Sequence, residues 1–115
     1  RRGSCSCRHV SAGAGEGATL NLPLPQGTDW ATYAPALAAA LDAIRTHAAD
    51  LLIVSYGADT FMGDPISHFS LTRQDYAAMG AQIAALGLPS VVVMEGGYAV
   101  DALGANVAAF LGGWG

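Results

Sequence analysis

The sequence predicts an α/β fold built on a parallel β-sheet. Two continuous apolar runs indicate buried strands, and the segments around them carry apolar residues three or four positions apart, as amphipathic helices do. Strands that lack polar alternation are typical of parallel sheets, whose two faces are covered by helices. The predicted order is β-α-β-α-β-α, with the first two helices crossing over between parallel strands.

The first predicted strand covers residues 19–24, and a helix follows it. Pro23 and Pro25 end the strand because proline cannot donate a hydrogen bond to a β-ladder. Apolar residues then recur at helical spacing over residues 30–47, which predicts an amphipathic helix. Pro35 lies inside this stretch. Since proline is tolerated in the first helical turn, we expect the regular helix to begin near it.

The remaining elements alternate in the same way. The apolar runs at residues 51–54 and 91–94 predict two strands buried on both faces. Between them, Thr72-x-x-Asp75 resembles a capping box and predicts the start of a second helix. A third helix follows the last strand. Its apolar face is predicted to consist of Leu103, Val107, Phe110 and Leu111.

Composition and charge exclude several classes of function. A chain of 115 residues suits one small domain or a piece of a larger one, and 52% hydrophobic with 12% charged residues is too apolar for a disordered protein. The formal charge of −4 argues against binding to nucleic acid. No uninterrupted apolar run is long enough to span a membrane, and no signal sequence follows the first residues, so we expect a cytoplasmic protein.

The first residues have a different character. Cys5, Cys7 and His9 have a spacing that could bind a soft metal, but zinc normally takes four ligands with longer spacers. The alternative is a polar leader with no metal, and we expect residues 1–12 to be disordered. The glycines of residues 13–17 resemble a dinucleotide-binding loop, but they precede a predicted strand instead of following one.

Two loops follow the buried strands, at the edge where parallel sheets bind ligands. Asp59 lies in the first loop and could be a ligand, or an N-cap or turn residue. Tyr98 lies in the second loop, after two glycines, and could hydrogen-bond a developing oxyanion or pack over the sheet edge. Asp64, directly before a proline, suits a turn, and His68 suits a solvated loop histidine.

Motifs along the chain together resemble the C-terminal part of the histone deacetylase superfamily, most like its bacterial acetylpolyamine amidohydrolase branch. The resemblance covers roughly residues 13–113. It rests on Gly15-Glu16-Gly17, Asn21-Leu22-Pro23-Leu24-Pro25, Gly57-Ala58-Asp59-Thr60-Phe61-Met62-Gly63-Asp64-Pro65-Ile66-Ser67 and Glu95-Gly96-Gly97-Tyr98.

The resemblance implies a three-layer arginase/deacetylase-like fold, with residues 13–115 as the C-terminal portion of a deacetylase domain. It implies a zinc-dependent amidohydrolase that removes acetyl groups from acetylated polyamines or from acetyl-lysine. Asp59 would be a zinc ligand, and Tyr98 would polarise the acetyl carbonyl. The glycines Gly57, Gly96 and Gly97 would support the two loops, and the intact protein could be a homodimer.

The chain departs from the family pattern in its histidines. Family members carry a histidine pair and an Asp-x-His motif upstream of these loops, whereas none of His9, His47 and His68 has an aspartate two positions before it. We therefore expect a fragment of an enzyme that is inactive alone. The alternatives are a non-catalytic binding or assembly module and a truncated gene product.

Overall fold

The computed structural model describes residues 16–115, and their elements alternate between helix and strand. Helices α1, α2 and α3 span Trp30–His47, Arg73–Ala84 and Val100–Gly112. Strands β1 and β2 span Leu52–Tyr56 and Ser90–Met94. The expected leader over residues 1–12, with Cys5, Cys7 and His9, lies outside the described residues.

The two strands form a parallel sheet, which confirms the α/β class. Their register runs from Leu52 opposite Ser90 to Tyr56 opposite Met94. Because the strands are parallel and in register, both end at the same edge of the sheet. The loop from β1 to α2 and the loop from β2 to α3 therefore start side by side.

The hydrophobic core lies between one face of the sheet and all three helices. Leu41 of α1, Tyr56 of β1, Tyr76 of α2 and Phe110 of α3 belong to one buried cluster. The opposite face of the sheet is exposed. Ile53, Val91 and Val93 retain 64%, 51% and 42% of their accessible surface. Within residues 16–115, the strands are thus covered on one face, where the sequence predicted burial on both.

Two predictions for the first third of the chain are wrong. Residues 19–24 form no strand with any other described residue, because Pro23 removes a ladder donor and no neighbouring strand lies beside them. Helix α1 begins at Trp30, not near Pro35, since the Asp29 carboxylate caps it by accepting the Thr32 N–H at 3.0 Å.

Helices α2 and α3 pack closely. The predicted capping box is present, because the Asp75 carboxylate accepts the N–H of Thr72 at 2.7 Å. A Cβ at Gly80 would collide with the backbone of Phe110, so only glycine permits this approach. Leu111, predicted on the buried face of α3, is 48% exposed. Among the described residues, no helix has the length and apolar character needed to cross a membrane.

Candidate active site

Two backbone hydrogen bonds join the loops that follow β1 and β2. The N–H of Ala58 donates to the carbonyl of Gly96 at 2.7 Å, and the N–H of Glu95 donates to the carbonyl of Tyr56 at 2.8 Å. These bonds extend the strand pairing past the sheet edge. The segments that hold Asp59 and Tyr98 are thereby brought next to each other.

The Asp59 carboxylate lies between two glycines, one from each loop. A Cβ at Gly57 would stand 2.8 Å from Asp59 Oδ1, and one at Gly96 would stand 2.9 Å from Asp59 Cγ. Ordinary carbon contacts begin near 3.5 Å. Neither glycine has a positive φ, so the space left for the carboxylate, and not backbone conformation, accounts for both.

Tyr76 is hydrogen-bonded to both neighbours of Asp59, to the backbone of Ala58 and to the side chain of Thr60. This buried tyrosine of α2 donates its hydroxyl to the carbonyl of Ala58 at 3.1 Å and lies 2.9 Å from the hydroxyl of Thr60. Burial raises the pKa of Tyr76 to about 12, so the hydroxyl keeps its proton at neutral pH. Among residues 16–115, these side-chain bonds flank Asp59 and none reaches its carboxylate.

The structure excludes one of the alternatives for Asp59. As the turn alternative predicts, Asp59 lies in a turn, in which the N–H of Phe61 donates to the carbonyl of Ala58 at 3.2 Å. The cap hypothesis is wrong, because the next helix begins only at Arg73 and its N-cap is Thr72. The role as a metal ligand stays a prediction. Among the described residues, no three histidine, cysteine or acidic side chains form a group that could hold a metal ion. Asp59 therefore has no complete ligand set around it within residues 16–115, and further ligands would come from elsewhere.

Tyr98 lies on the turn between β2 and α3 and is 54% exposed. Such exposure favours an accessible phenol over a ring packed on the sheet edge. Gly97 precedes it with a φ of +148°, and a Cβ there would stand 2.7 Å from Leu103 Cδ1 and 3.1 Å from Ala58 Cβ. Gly97 thus lets the turn pass close to the first loop, and the catalytic role of Tyr98 stays a prediction.

Asp64 and Tyr76 are contributions to the site that the sequence analysis missed. As predicted, Asp64 forms a turn, since its Oδ1 accepts the N–H of Ile66 at 3.0 Å. Its Oδ2 also accepts the N–H groups of Tyr98 and Ala99, at 2.6 and 3.0 Å. No local pattern announces a bond between residues 34 positions apart.

Burial and hydrogen bonding shift the pKa of Asp64 in opposite directions. Its burial raises the carboxyl pKa, whereas the backbone N–H groups of Tyr98, Ile66 and Ala99 lower it and leave it below its usual value. Asp64 is therefore ionised at neutral pH.

His68 is exposed, and its ring nitrogen lies 3.4 Å from the side-chain nitrogen of Gln26, in agreement with a solvated loop histidine.

This chain is similar to known proteins in both sequence and fold. Residues 3–114 match the family model described as Histone deacetylase domain. Acetylpolyamine amidohydrolase 2 of Pseudomonas aeruginosa is 52% identical over 102 residues, and acetylpolyamine amidohydrolase of Mycoplana ramosa is 50% identical over 101. These alignments cover 89% and 88% of this chain, which spans 30% of each relative's length.

A solved structure gives the same result. The crystal structure of acetylpolyamine aminohydrolase from Burkholderia pseudomallei superimposes with a TM-score of 0.89 at 40% identity, covering 92% of this chain and 31% of that one. The family model matches nearly the whole chain, and the solved structure shares the arrangement of strands and helices. The chain therefore belongs to the histone deacetylase domain family.

Proposed function

We propose that this chain is part of a zinc-dependent deacetylase that hydrolyses the acetyl amide of an acetylated polyamine. The names of the most similar relatives support the substrate class, and acetyl-lysine is the alternative within the same family. The observation that carries the proposal is the carboxylate of Asp59. It lies between glycines of two adjoining loops, and the second loop carries the exposed phenol of Tyr98 two residues after Gly96.

The donor chemistry of Asp59 fits one position of a catalytic zinc site. Such sites use three protein ligands, often with a carboxylate among them, and leave one position open. Asp59 is partly exposed, and the hydroxyl of Tyr76 is hydrogen-bonded to both residues beside it. Since residues 16–115 contain no group of three ligands, the other ligands would have to come from outside this range. Bound zinc would supply a Lewis acid and lower the pKa of a water molecule.

The residues of this chain would bind and orient. Asp59 would supply one carboxylate ligand, and the space between Gly57 and Gly96 accommodates that carboxylate. The phenol of Tyr98 donates a hydrogen bond to the acetyl oxygen as negative charge develops on it. Water adds to the acetyl carbonyl, the C–N bond breaks, and acetate and the free amine are released. With one proposed zinc ligand among residues 16–115, this chain alone would not catalyse the reaction.

A chimeric enzyme tests the proposal. In this chimera, residues 16–115 replace the matching segment of the Pseudomonas aeruginosa acetylpolyamine amidohydrolase 2. Tyr98→Phe should lower kcat by about 10²–10³-fold with zinc still bound, because one oxyanion donor is lost. The control Tyr33→Phe removes the hydroxyl of a partly buried tyrosine in α1 and should leave kcat unchanged within about twofold.

Zinc content separates the two roles. Asp59→Ala should lower zinc affinity by about 100-fold or more, because a catalytic site would retain only two protein ligands. The control Asp42→Ala removes an exposed carboxylate that pairs with Arg45 on the surface of α1, and zinc should stay bound. Full zinc content in Asp59→Ala, or undiminished kcat in Tyr98→Phe, would show that the assignment of these residues is wrong.

A further inference from the structure

Asp64 connects the two loops of the candidate site through its carboxylate. It lies in the same loop as Asp59, and its side chain is 6% exposed. One oxygen accepts the N–H groups of both Tyr98 and Ala99, and the other accepts the N–H of Ile66 within its own loop. All the hydrogen bonds of this buried carboxylate therefore go to backbone, and two of them hold the segment of the phenol.

Besides its bond to Asp64, the backbone of Tyr98 accepts one hydrogen bond, from the N–H of Val100 at 3.0 Å. Gly97 precedes it, and glycine is the residue with the greatest conformational freedom. Helix α3 starts two residues later, and its N-cap residue, Ala99, has no side chain that could cap the helix. The carboxylate of Asp64 accepts at this position instead. Hydrogen bonds to an ionised acceptor are stronger than those between neutral groups.

The segment that carries Asp64 is itself firmly held. The N–H of Asp64 donates to the carbonyl of Phe61 at 3.0 Å, and the N–H of Met62 donates to the carbonyl of Leu71 at 2.8 Å. Asp64 is therefore a fixed point of the loop that also contains Asp59. A fixed acceptor can impose one position on a flexible turn, whereas an acceptor on a mobile loop would move with it.

We propose that Asp64 is a positioning residue for Tyr98: its carboxylate fixes the turn that carries the phenol, and so holds the phenol where it can reach the substrate carbonyl. This proposal rests on the proposed function, because it assigns the purpose of the contact to the reaction. If the role of Asp64 were purely structural, Asp64 would be needed for folding, and the effect of replacing it would be the same with or without the Tyr98 hydroxyl.

A double-mutant cycle in the chimera distinguishes these roles. Asp64→Ala should lower kcat by about 10–100-fold, because misplacement of a catalytic group by about 1 Å is enough for such a loss. KM should change by less than about threefold, and zinc should stay bound. Adding Asp64→Ala to Tyr98→Phe should lower kcat by less than about threefold further, since the hydroxyl that Asp64 positions is already absent.

Two further measurements keep the result interpretable. Asp64→Asn retains the size of the side chain and one acceptor oxygen, so it should fold and show a smaller loss with the same non-additivity. Amide hydrogen exchange should be faster at Tyr98 and Ala99 in this variant. The control Asp75→Asn alters a carboxylate that also accepts a backbone N–H, at the exposed start of α2, and should change neither exchange at those amides nor kcat.

Different results would overturn the positioning role of Asp64 and the proposed function. If the losses from Asp64→Ala and Tyr98→Phe multiply, Asp64 acts independently of the phenol and the positioning role is overturned. Unchanged exchange at Tyr98 in Asp64→Asn overturns it as well. A Tyr98→Phe chimera with full kcat instead overturns the proposed function, whatever the variants of Asp64 show.

Discussion

Gly96→Ala should displace the carboxylate of Asp59 without unfolding the protein. The new Cβ would stand 2.9 Å from Asp59 Cγ and 3.4 Å from Asp59 Cβ, whereas carbon atoms in favourable contact are about 3.5–4.0 Å apart. The carboxylate would therefore have to move by about 1 Å. Gly96 has no positive φ, so alanine can adopt its backbone conformation, and the end of a side chain can move at little cost in stability.

The expected result is a functional loss with a preserved fold. Displacement by about 1 Å can cost about 100-fold in rate, so we expect zinc affinity and kcat of the chimera to fall by about 10–100-fold. Zinc affinity would be measured by competition with a chelator, and unfolding by urea titration. Gly104→Ala is the matched control, because a Cβ there has no heavy atom within 4 Å. Unchanged zinc affinity in Gly96→Ala would refute the proposed position of the ligand.

Three other predictions concern stability and self-association. Gly80→Ala should destabilise the chimera by about 1–3 kcal/mol in urea titration, because the new Cβ meets the backbone of Phe110. Gly104→Ala should not destabilise it, and equal urea midpoints for the two variants would contradict this prediction. Tyr76→Phe should lower the free energy of unfolding by about 1–2 kcal/mol, because the bond from the Tyr76 hydroxyl to the carbonyl of Ala58 is lost. It should also weaken zinc binding, because the loop that holds Asp59 loses this restraint; unaltered zinc affinity would show that Tyr76 does not influence Asp59. The 115-residue chain alone should self-associate through its exposed sheet face and Ile53→Lys should reduce this; monodisperse sedimentation of the unmutated chain as a monomer would contradict it.

Local patterns predicted most elements because their causes are local. The capping box at Thr72 and the helical spacing of apolar residues located α2, and the two apolar runs located β1 and β2. The first predicted strand failed for the opposite reason. A strand exists only with a hydrogen-bonded partner, and residues 19–24 have none among the described residues. Pro35 also misled the prediction, since packing of the first turn and the Asp29 cap outweigh one missing N–H.

The α/β class, the family motifs and the candidates Asp59 and Tyr98 could all be predicted from the order of residues alone. These follow from residue types at short spacings and from motifs that occur in order along the chain. Only the tertiary structure placed the Asp59 carboxylate between Gly57 and Gly96 and joined Asp64 to the turn of Tyr98. The physical reason is the parallel pairing of β1 with β2, which brings together loops that are far apart in the chain and lets a carboxylate in one accept hydrogen bonds from the other.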